Sequence, residues 1–398
     1  MEYKPQLEWK ADTKQRSRLP GLHSDGWNCF ANAMLQVLIH TPPVFNHFEK
    51  YSCRCGKDCV YCLMKEKIFN QAKTETSRRA LIYPVPVLTH ILNNEILGLK
   101  FNIGQDADPI EFYELLEKLM EDNKEESISK NFLKDIFTCQ QEIFTHCKFC
   151  GNKIEDEDTY ILPFIPIKSG NIVNSLTEYF GEKDTDVKKC KECKHDIHTA
   201  QRIITPPPIL HLKSAESLLD IDFTKTLDIS PYLAEENGKR VMYELNSVIV
   251  YVQLSPERGH YYSLCKAPSG QWNKYNDTKV TGNVSLKEVL EVKPYSLFYK
   301  RIQRPVENVI ADKENKESKI LKRKVGSVIG NKSFNKKRKL GCEYTGSNEN
   351  VECRTNTLTK SPHPEKSTSA ERIEFKTSLS TGNIVKIRTH RRKRKSEG

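Results

Sequence analysis

Cys29 is the residue of this chain whose position most favours thiol chemistry. Apolar residues recur at helical spacing from Phe30 to Leu38, and Asn28 can end the turn before them. The sequence therefore predicts a helix that begins at the cysteine. A thiol there faces the positive end of the helix dipole, which favours the nucleophilic thiolate. The alternative is a small buried side chain, since free cysteines are among the most buried residues.

A cysteine nucleophile needs a base, and the base needs a partner that orients it. Residues 260–280 read as a strand, a Pro-Ser-Gly turn and a second strand, preceded by the β-branched run SVIVYVQL at 247–254. We expect a hairpin in which His260, at the start of the first strand, lies beside Asn276, near the end of the second. An ordinary histidine on an edge strand is the alternative reading of His260.

Two Cys-x-x-Cys pairs indicate a metal site. Cys147 and Cys150 form CKFC, and Cys190 and Cys193 form CKEC, with 39 residues between the pairs. Such pairs suit a tetrahedral Zn²⁺ held by four thiolates. Because four protein ligands leave no position for water, we expect structural zinc at this site.

A second cysteine cluster is less regular. Cys53, Cys55, Cys59 and Cys62 lie in CRCGKDCVYC. Four thiols within ten residues are enough to hold zinc, but this spacing is not a common structural pattern. A loop and helix with a few buried thiols is the other interpretation.

The segment GQDADPIEFYELLEKLM predicts a capped helix. Asp108 is placed as the N-cap, Pro109 as the first helical residue and Glu111 as the acid of a capping box. The residues Phe112, Leu115, Leu116 and Leu119 then fall on one apolar face. Capping alone explains both acids, and the helix predicts no further chemistry.

The positive charge of the chain is concentrated at its C-terminal end. Residues 301–398 hold 25 Lys and Arg against 11 Asp and Glu, a net of +14, which leaves residues 1–300 at −3 of the total +11. Periodic apolar residues are absent after 301, so we expect a disordered tail. Its basic clusters, Lys322–Lys324, Lys336–Lys339 and Arg391–Lys395, are typical of nuclear localisation signals or of contacts to nucleic acid phosphates.

Length and hydropathy set further expectations. A chain of 398 residues can bury a large core. It contains no run of 18 apolar residues, and its N-terminus lacks an apolar signal core, so we expect an intracellular protein without a membrane span. Cysteines in a reducing compartment are poor disulfide candidates, which also favours metal at the paired cysteines.

Taken in order, these features resemble the ubiquitin-specific proteases, papain-like cysteine deubiquitinases. The family's cysteine box GLxNxGNTCxxNxxLQxL is matched by GLHSDGWNCFANAMLQVL from Gly21, and its histidine box by GHYYSLCKAPSGQWNKYND from Gly259 and the closing YSLFYKR. The resemblance implies an α+β fold with thumb, palm and zinc-bearing fingers. The expected domains are a lead-in at 1–19, a catalytic domain at 20–301 and the tail at 302–398.

The resemblance also implies roles for single residues. Cys29 would be the nucleophile, His260 the general base and then acid, and Asn276 the third member, with the adjacent Asp277 as a secondary candidate. Asp108 and Glu111 match family acids that help to hold the basic tail of ubiquitin. The fingers would bind structural Zn²⁺ through the four cysteines at 147, 150, 190 and 193.

One position departs from the family pattern in a way that affects rate. Five residues before its nucleophile the family has an asparagine that donates to the oxyanion, and this chain has Ser24. Losing such a donor typically costs about 10²- to 10³-fold in rate. A serine hydroxyl or Asn28 can donate instead. The family's LKRF strand reads LHLKSAES here, from Leu210.

Two functions of different kinds follow from the resemblance. The first is a thiol isopeptidase that removes ubiquitin from nuclear proteins, and the second is a catalytically impaired, zinc-stabilised module that binds ubiquitin. Similar basic tails accompany nucleolar members of the family, which favours the nucleus or nucleolus. A nucleic-acid-binding protein acting through its tail is a third possibility, but residues 1–300, at net −3, give it no support.

Overall fold

The structure is a computed structural model that describes residues 4–53, 59–77, 79–92, 107–121, 131–168, 170–216, 218–235, 240–256, 258–303 and 385–387. Cys55, the three basic clusters and nearly all of the predicted tail lie outside these residues. Every helix within them is too short or too polar to cross a bilayer.

Most helices precede the long strands in the chain. The helices of the described residues are α1 (Ala11–Lys14), α2 (Cys29–Ile39), α3 (Pro42–Lys50), α4 (Val60–Leu63), α5 (Asn70–Thr74), α6 (Val85–Leu92), α7 (Pro109–Glu121), α8 (Phe132–Phe137), α9 (Ile172–Phe180) and α10 (Leu286–Leu290). A π-helical stretch, Met64–Phe69, joins α4 to α5, so the chain is helical from 60 to 74.

All of the long strands lie after residue 138, together with several short ones. They are β1 (Gly21–Leu22), β2 (Leu81–Ile82), β3 (Cys139–Cys147), β4 (Lys153–Leu162), β5 (Ile165–Ile167), β6 (Gly170–Asn171), β7 (Lys183–Lys189), β8 (Asp196–Thr205), β9 (Ile209–Ser214), β10 (Ile221–Asp222), β11 (Thr226–Asp228), β12 (Met242–Ser255), β13 (Arg258–Lys266), β14 (Trp272–Asn276), β15 (Lys279–Val284), β16 (Ser296–Arg301) and β17 (Val385–Ile387).

An eight-stranded sheet forms the centre of the protein. Its strand order is β15-β14-β13-β12-β16-β9-β5, with β11 also paired to β12, and the pairs are antiparallel except β5 with β9. The run predicted as a buried strand is part of β12, and the predicted hairpin is β13–β14. Their register places Val252 opposite His260, so at the histidine β13 is paired with β12, while β14 pairs with β13 only from Ser263 to Lys266.

Side chains of this sheet alternate between two hydrophobic cores. Ile249 and Phe298 belong to the core formed with the helices α2–α8, whereas their neighbours Val248 and Leu297 belong to the core on the opposite face. This period of two is what a pleated strand buried on both faces requires. The sheet is therefore held between two apolar layers, which gives the site a rigid base.

A second sheet carries the paired cysteines. Its strand order is β17-β4-β3-β8-β7, and each pair is antiparallel. The CKFC turn follows β3 and the CKEC turn follows β7, so the two turns lie at the same end of this sheet. The helices, the central sheet and this second sheet together confirm the predicted α+β fold.

The helix boundaries agree with the capping signals where those are strong. α2 begins at Cys29, and α7 begins at Pro109 with the Ile110 N–H bonded to Asp108 Oδ1 at 2.7 Å. The prolines after α2 end that helix but also begin α3, because proline fits the first helical position. The sequence pattern did not predict α3.

Candidate active site

Cys29 lies at the N-terminal end of α2, against the strand that carries the histidine. It is the first residue of the helix and is 6% exposed, and α2 packs on β13. Helix N–H groups at this end point away from the helix, so the backbone N–H of Cys29 is available to an oxyanion formed beside the sulfur. The predicted position of the thiol at the start of a helix is correct.

His260 lies between Cys29 and Asn276. His260 Nε2 is 2.6 Å from Asn276 Oδ1, and because an amide oxygen only accepts, Nε2 is the donor. The other ring nitrogen, Nδ1, is left for the sulfur. The hydrogen bond to Cys29 is the largest cause that raises the pKa of His260 to about 9, and the bond to Asn276 also raises it. This favours an imidazolium at neutral pH.

Asp277 connects the histidine strand to the cysteine helix. Asn32 Nδ2 donates to Asp277 Oδ1 at 2.7 Å, and the Leu22 N–H donates to the Asp277 carbonyl at 3.0 Å. A Cβ on Gly21 would lie 2.9 Å from that carbonyl oxygen, so the close approach of β1 requires glycine. Asp277 therefore positions α2 and β1, and it acts on His260 through its charge.

Ser24 belongs to a hydrogen-bonded turn before α2. Its hydroxyl donates to Asn28 Oδ1 at 3.0 Å and accepts from the Gly26 N–H at 3.2 Å. Asn28, fully buried, also accepts from the Asp25 N–H at 3.0 Å and donates through Nδ2 to the His23 carbonyl at 3.2 Å. Both groups that can replace the family's oxyanion donor are thus already bonded to each other.

Asp108 is engaged by its own neighbours. Its Oδ1 caps α7, while Oδ2 accepts from Lys213 Nζ at 3.2 Å and from the Tyr295 hydroxyl. Burial and the nearby Asp108 carboxylate raise the pKa of Tyr295, which keeps that hydroxyl a donor. Glu111 is half-buried in the first turn of α7, and within the described part of the chain its side chain makes no hydrogen bond or ion pair.

Aromatic side chains form a wall that includes Tyr261, the residue after His260. The ring of Tyr251 contacts the ring of Tyr261 at 4.9 Å, and Tyr261 contacts Tyr295 at 5.3 Å. A Cβ on Gly259 would lie 2.0 Å from Tyr251, so no other residue fits before the histidine while the tyrosine keeps this position. Through the hydroxyl of Tyr295, the wall extends from the histidine strand to Asp108, the residue before α7.

A buried hydrogen-bond network supports the strand of Asn276. The Tyr275 hydroxyl contacts His40 Nε2 at 2.9 Å and accepts from the Leu19 N–H at 3.2 Å, while His40 Nδ1 contacts the Gln36 carbonyl at 2.7 Å. Burial lowers the pKa of His40 to about 4, so this ring is neutral near pH 7. The network fixes β14 against the C-terminal end of α2.

The four paired cysteines converge at one end of the second sheet. Sγ of Cys147 lies 3.4 Å from Sγ of Cys193, Sγ of Cys150 lies 3.6 Å from Sγ of Cys190, and all four sulfurs lie within 4.8 Å of one another. Tetrahedral zinc with Zn–S bonds of about 2.3 Å separates its sulfurs by about 3.8 Å. The sulfurs therefore fit a metal ion.

The two cysteine turns have the backbone geometry of metal-binding knuckles. Gly151 has a φ of 71° and Lys194 a φ of 62°, and their N–H groups donate to the carbonyls of Cys147 and Cys190. These tight turns aim two sulfurs from each hairpin at one point. The prediction that the two pairs meet in one group able to hold a metal is confirmed.

The structure brings together Cys29, His260 and Asn276, and it places Asp277 next to them and Asp108 and Glu111 at the start of α7. The sequence patterns did not predict the contacts of Asn32, Lys213 and Tyr295, which hold these elements in register. A signal for Asn32 existed, because a polar residue three positions after Cys29 lies one turn further along the same helix.

Comparisons with known proteins agree with this architecture. The sequence model of the family described as ubiquitin carboxyl-terminal hydrolase matches residues 20–299. Ubiquitin carboxyl-terminal hydrolase 42 of Homo sapiens is 28% identical over 313 residues, covering 71% of this chain and 23% of that relative. Ubiquitin carboxyl-terminal hydrolase 25 of Arabidopsis thaliana is 26% identical over 346 residues, covering 77% of this chain and 51% of that relative.

Solved structures establish the fold. The SAGA Ubp8/Sgf11/Sus1/Sgf73 DUB module bound to ubiquitin aldehyde is similar with a TM-score of 0.58 at 22% identity, over 76% of this chain and 72% of that chain. The chain spans less than two thirds of the length of both curated relatives described above. With the family match over residues 20–299, the chain belongs to the ubiquitin carboxyl-terminal hydrolases and is a member of the ubiquitin-specific protease family.

Proposed function

We propose that the chain is a cysteine deubiquitinase that hydrolyses the isopeptide bond at the C-terminus of ubiquitin. The observation that carries the proposal is the row formed by Cys29, His260 and Asn276, with 2.6 Å between His260 Nε2 and Asn276 Oδ1. A thiol, a base and an orienting amide in this order are the parts needed for acyl transfer through a thioester.

Each residue of the row has a defined step. The Cys29 thiolate attacks the carbonyl carbon of the ubiquitin C-terminal glycine, and His260 then gives its proton to the departing lysine amine. The resulting thioester is attacked by water, from which His260 removes a proton as the thiolate leaves. Asn276 keeps the imidazole oriented throughout, and as a neutral amide it does so without adding charge.

The oxyanion of each tetrahedral intermediate needs donors. The Cys29 backbone N–H at the start of α2 is one of them, since it points away from the helix. Ser24 can supply a second only if its hydroxyl turns away from Asn28. We therefore infer a lower rate than an asparagine at position 24 would give.

The substrate is inferred from the family and from the acids beside the site. Glu111 and Asp108 lie at the N-terminal end of α7, where a basic peptide tail can pair with carboxylates. Asp108 is also neutralised by Lys213, so Glu111 is the better placed of the two to contact an arginine of ubiquitin. We assign both residues to holding the ubiquitin tail.

Zn²⁺ is the proposed cofactor, in a structural role. Cys147, Cys150, Cys190 and Cys193 would fill its four positions and join the hairpins of the second sheet. The metal would supply no chemistry to the reaction, because no position is left for substrate. The excess of basic residues after 301 supports location of the protein and its substrates in the nucleus or nucleolus. It also supports contact of the tail with nucleic acid or another polyanion.

A catalytically impaired module that binds ubiquitin is the second candidate. The observation in its favour is the bond of the Ser24 hydroxyl to Asn28, which leaves the oxyanion position short of one donor. Such a module would keep the zinc, the acids of α7 and the aromatic wall, and would bind ubiquitin without turning it over.

Hydrolysis of a fluorogenic ubiquitin–lysine isopeptide conjugate separates the two candidates. The wild-type chain is expected to release the fluorophore, Cys29→Ala to release none, and Cys139→Ala, a buried thiol on β3, to match wild type. If wild type and Cys29→Ala both bind ubiquitin and neither hydrolyses the conjugate, the chain is a ubiquitin-binding module and not an enzyme.

A further inference from the structure

A second group of cysteines lies between α3 and the helix that starts at α4. Cys53 follows the end of α3, Cys59 is the N-cap of α4 and Cys62 is within α4. Sγ of Cys53 lies 3.6 Å from Sγ of Cys59, and all three sulfurs lie within 4.8 Å of one another. These distances match those between the sulfurs of the four paired cysteines.

The cluster has the local geometry of a thiolate site. Cys59 Sγ accepts the N–H of Cys62 at 3.4 Å, the contact by which a Cys-x-x-Cys turn stabilises a sulfur anion. Cys59 also precedes a segment that is helical from 60 to 74, so its sulfur lies at the positive end of the helix dipole. Negative sulfurs this close repel one another unless a cation lies among them.

The spacing fits a tetrahedral cation. Two sulfurs bound to one zinc ion are separated by about 3.8 Å, while a disulfide requires about 2.0 Å. Sulfur ligands and this separation select a soft divalent ion such as Zn²⁺ over Mg²⁺ or Ca²⁺, which take oxygen ligands.

We propose that Cys53, Cys59 and Cys62 bind a second Zn²⁺, separate from the ion of the second sheet. Three thiolates leave the fourth position of a tetrahedral ion to water. This site lies outside the catalytic row and outside the four-cysteine site, so it stands whether or not the chain hydrolyses ubiquitin.

The ion would fix the connection between α3 and α4. Cys53 and Cys59 pack against the same core as α2, and α3 contacts α2 directly. Lys65 Nζ already donates to the Phe48 carbonyl near the end of α3. Zinc would add a second link at this point, and its loss would loosen α3 beneath the helix of Cys29.

Metal content of the full chain tests the proposal. Protein purified without chelator is analysed for bound zinc by mass spectrometry, with cysteine variants compared side by side. We expect two zinc ions in wild type and in Cys139→Ala, and one in Cys62→Ser. Cys190→Ser, a ligand of the other site, is also expected to retain one.

Counting bound cadmium ions by NMR tests the proposal on the wild-type chain, even if a cysteine variant fails to fold. Wild-type protein exchanged with ¹¹³Cd²⁺ is expected to give two cadmium resonances in the range of sulfur-rich sites. One zinc ion in wild type with no loss in Cys62→Ser, or one cadmium resonance in the wild-type chain, would overturn the proposal. Isopeptide hydrolysis is measured on the same samples, which keeps failure of this site distinct from failure of the proposed enzyme.

Discussion

A neutral amide orients the histidine of this site. Asn276 accepts one hydrogen bond from His260 and adds no negative charge. The hydrogen bond to Cys29 is the largest of the causes that raise the pKa of the imidazole to about 9. Below that pH the ring carries its second proton and can protonate the leaving amine. Above it, the acid form is lost and the first half of the reaction slows.

Replacing Asn276 by alanine removes one of the bonds that raise the pKa of His260. The alkaline limb of the pH profile is then expected to move to lower pH, and kcat/KM near pH 7.5 to fall about 10- to 150-fold, since a hydrogen bond to a charged group contributes about 1.5–3 kcal/mol. Asn276→Asp, which adds a charge, is expected to move the limb upward. Profiles of kcat/KM measure both.

Asn174→Ala, on the exposed side of α9, is the matched control for the amide and is expected to keep the wild-type profile. An alkaline limb that stays in place in Asn276→Ala would show that Asn276 does not interact with the catalytic imidazole in solution.

Ser24→Asn is expected to raise kcat, by as much as about 10²- to 10³-fold if the new amide reaches the oxyanion. Ser24→Ala is the informative comparison. Because the serine hydroxyl donates to Asn28, its removal is expected to change kcat by less than about threefold. Steady-state kinetics on the isopeptide conjugate measures both variants, and a large loss in Ser24→Ala would mean that the serine itself stabilises the oxyanion.

At the scale of elements, the sequence predicted the helix starts and the turn whose conformation depends on neighbouring residues. Gly26, Asn28 and the apolar period predicted α2, and Asp108 with Pro109 predicted the start of α7. The hairpin followed from the turn at Gly270, whose φ of 92° suits glycine. In each case neighbouring residues alone determine the conformation.

The sequence did not reveal contacts between elements that are distant in the chain. Asn32 and Asp277 are 245 positions apart, and Lys213 and Asp108 are 105 apart. Ser24, read as a possible donor, proved to be bonded to Asn28 because the turn before α2 needs that bond. Local patterns carry no information on such pairings, and these pairings decide which polar groups stay available to a substrate.

The second sheet depends on its metal. Cys190→Ser is expected to open the turns after β3 and β7, because a three-ligand site binds zinc less tightly and the remaining sulfurs repel. Limited proteolysis is expected to cut between residues 147 and 196 in this variant and not in Cys139→Ala. Labelling of Cys29 by iodoacetamide is expected to persist, and an intact sheet in Cys190→Ser would contradict the structural role.

At the scale of the whole molecule, charge separates the two parts of the chain. Residues 1–300 carry a net −3 and residues 301–398 a net +14. The catalytic row, both cysteine groups and the central sheet lie in the first part. We therefore expect the tail to determine where the protein is located and whether it binds polyanions, and to take no part in the hydrolysis reaction.

Removal of residues 304–398 tests this division. The truncation also removes β17 from the edge of the second sheet. The shortened chain is still expected to hydrolyse the isopeptide conjugate within about twofold of wild type, because Cys29, His260 and Asn276 lie on α2 and the central sheet, away from that edge. It is also expected to lose salt-sensitive binding to RNA and accumulation in the nucleus. Neutralising Lys336–Lys339 in the full chain is the matched control for charge, and unchanged RNA binding after truncation would contradict the proposed partner.

The central claim is that Cys29 attacks the C-terminus of ubiquitin. Ubiquitin carrying a C-terminal electrophile is incubated with the full chain, and the adduct is mapped by peptide mass spectrometry. The account predicts one adduct on Cys29, absent in Cys29→Ala, strongly reduced in His260→Ala and unchanged in Cys139→Ala. No adduct on Cys29 in folded wild-type protein, or an adduct formed equally by His260→Ala, would contradict it.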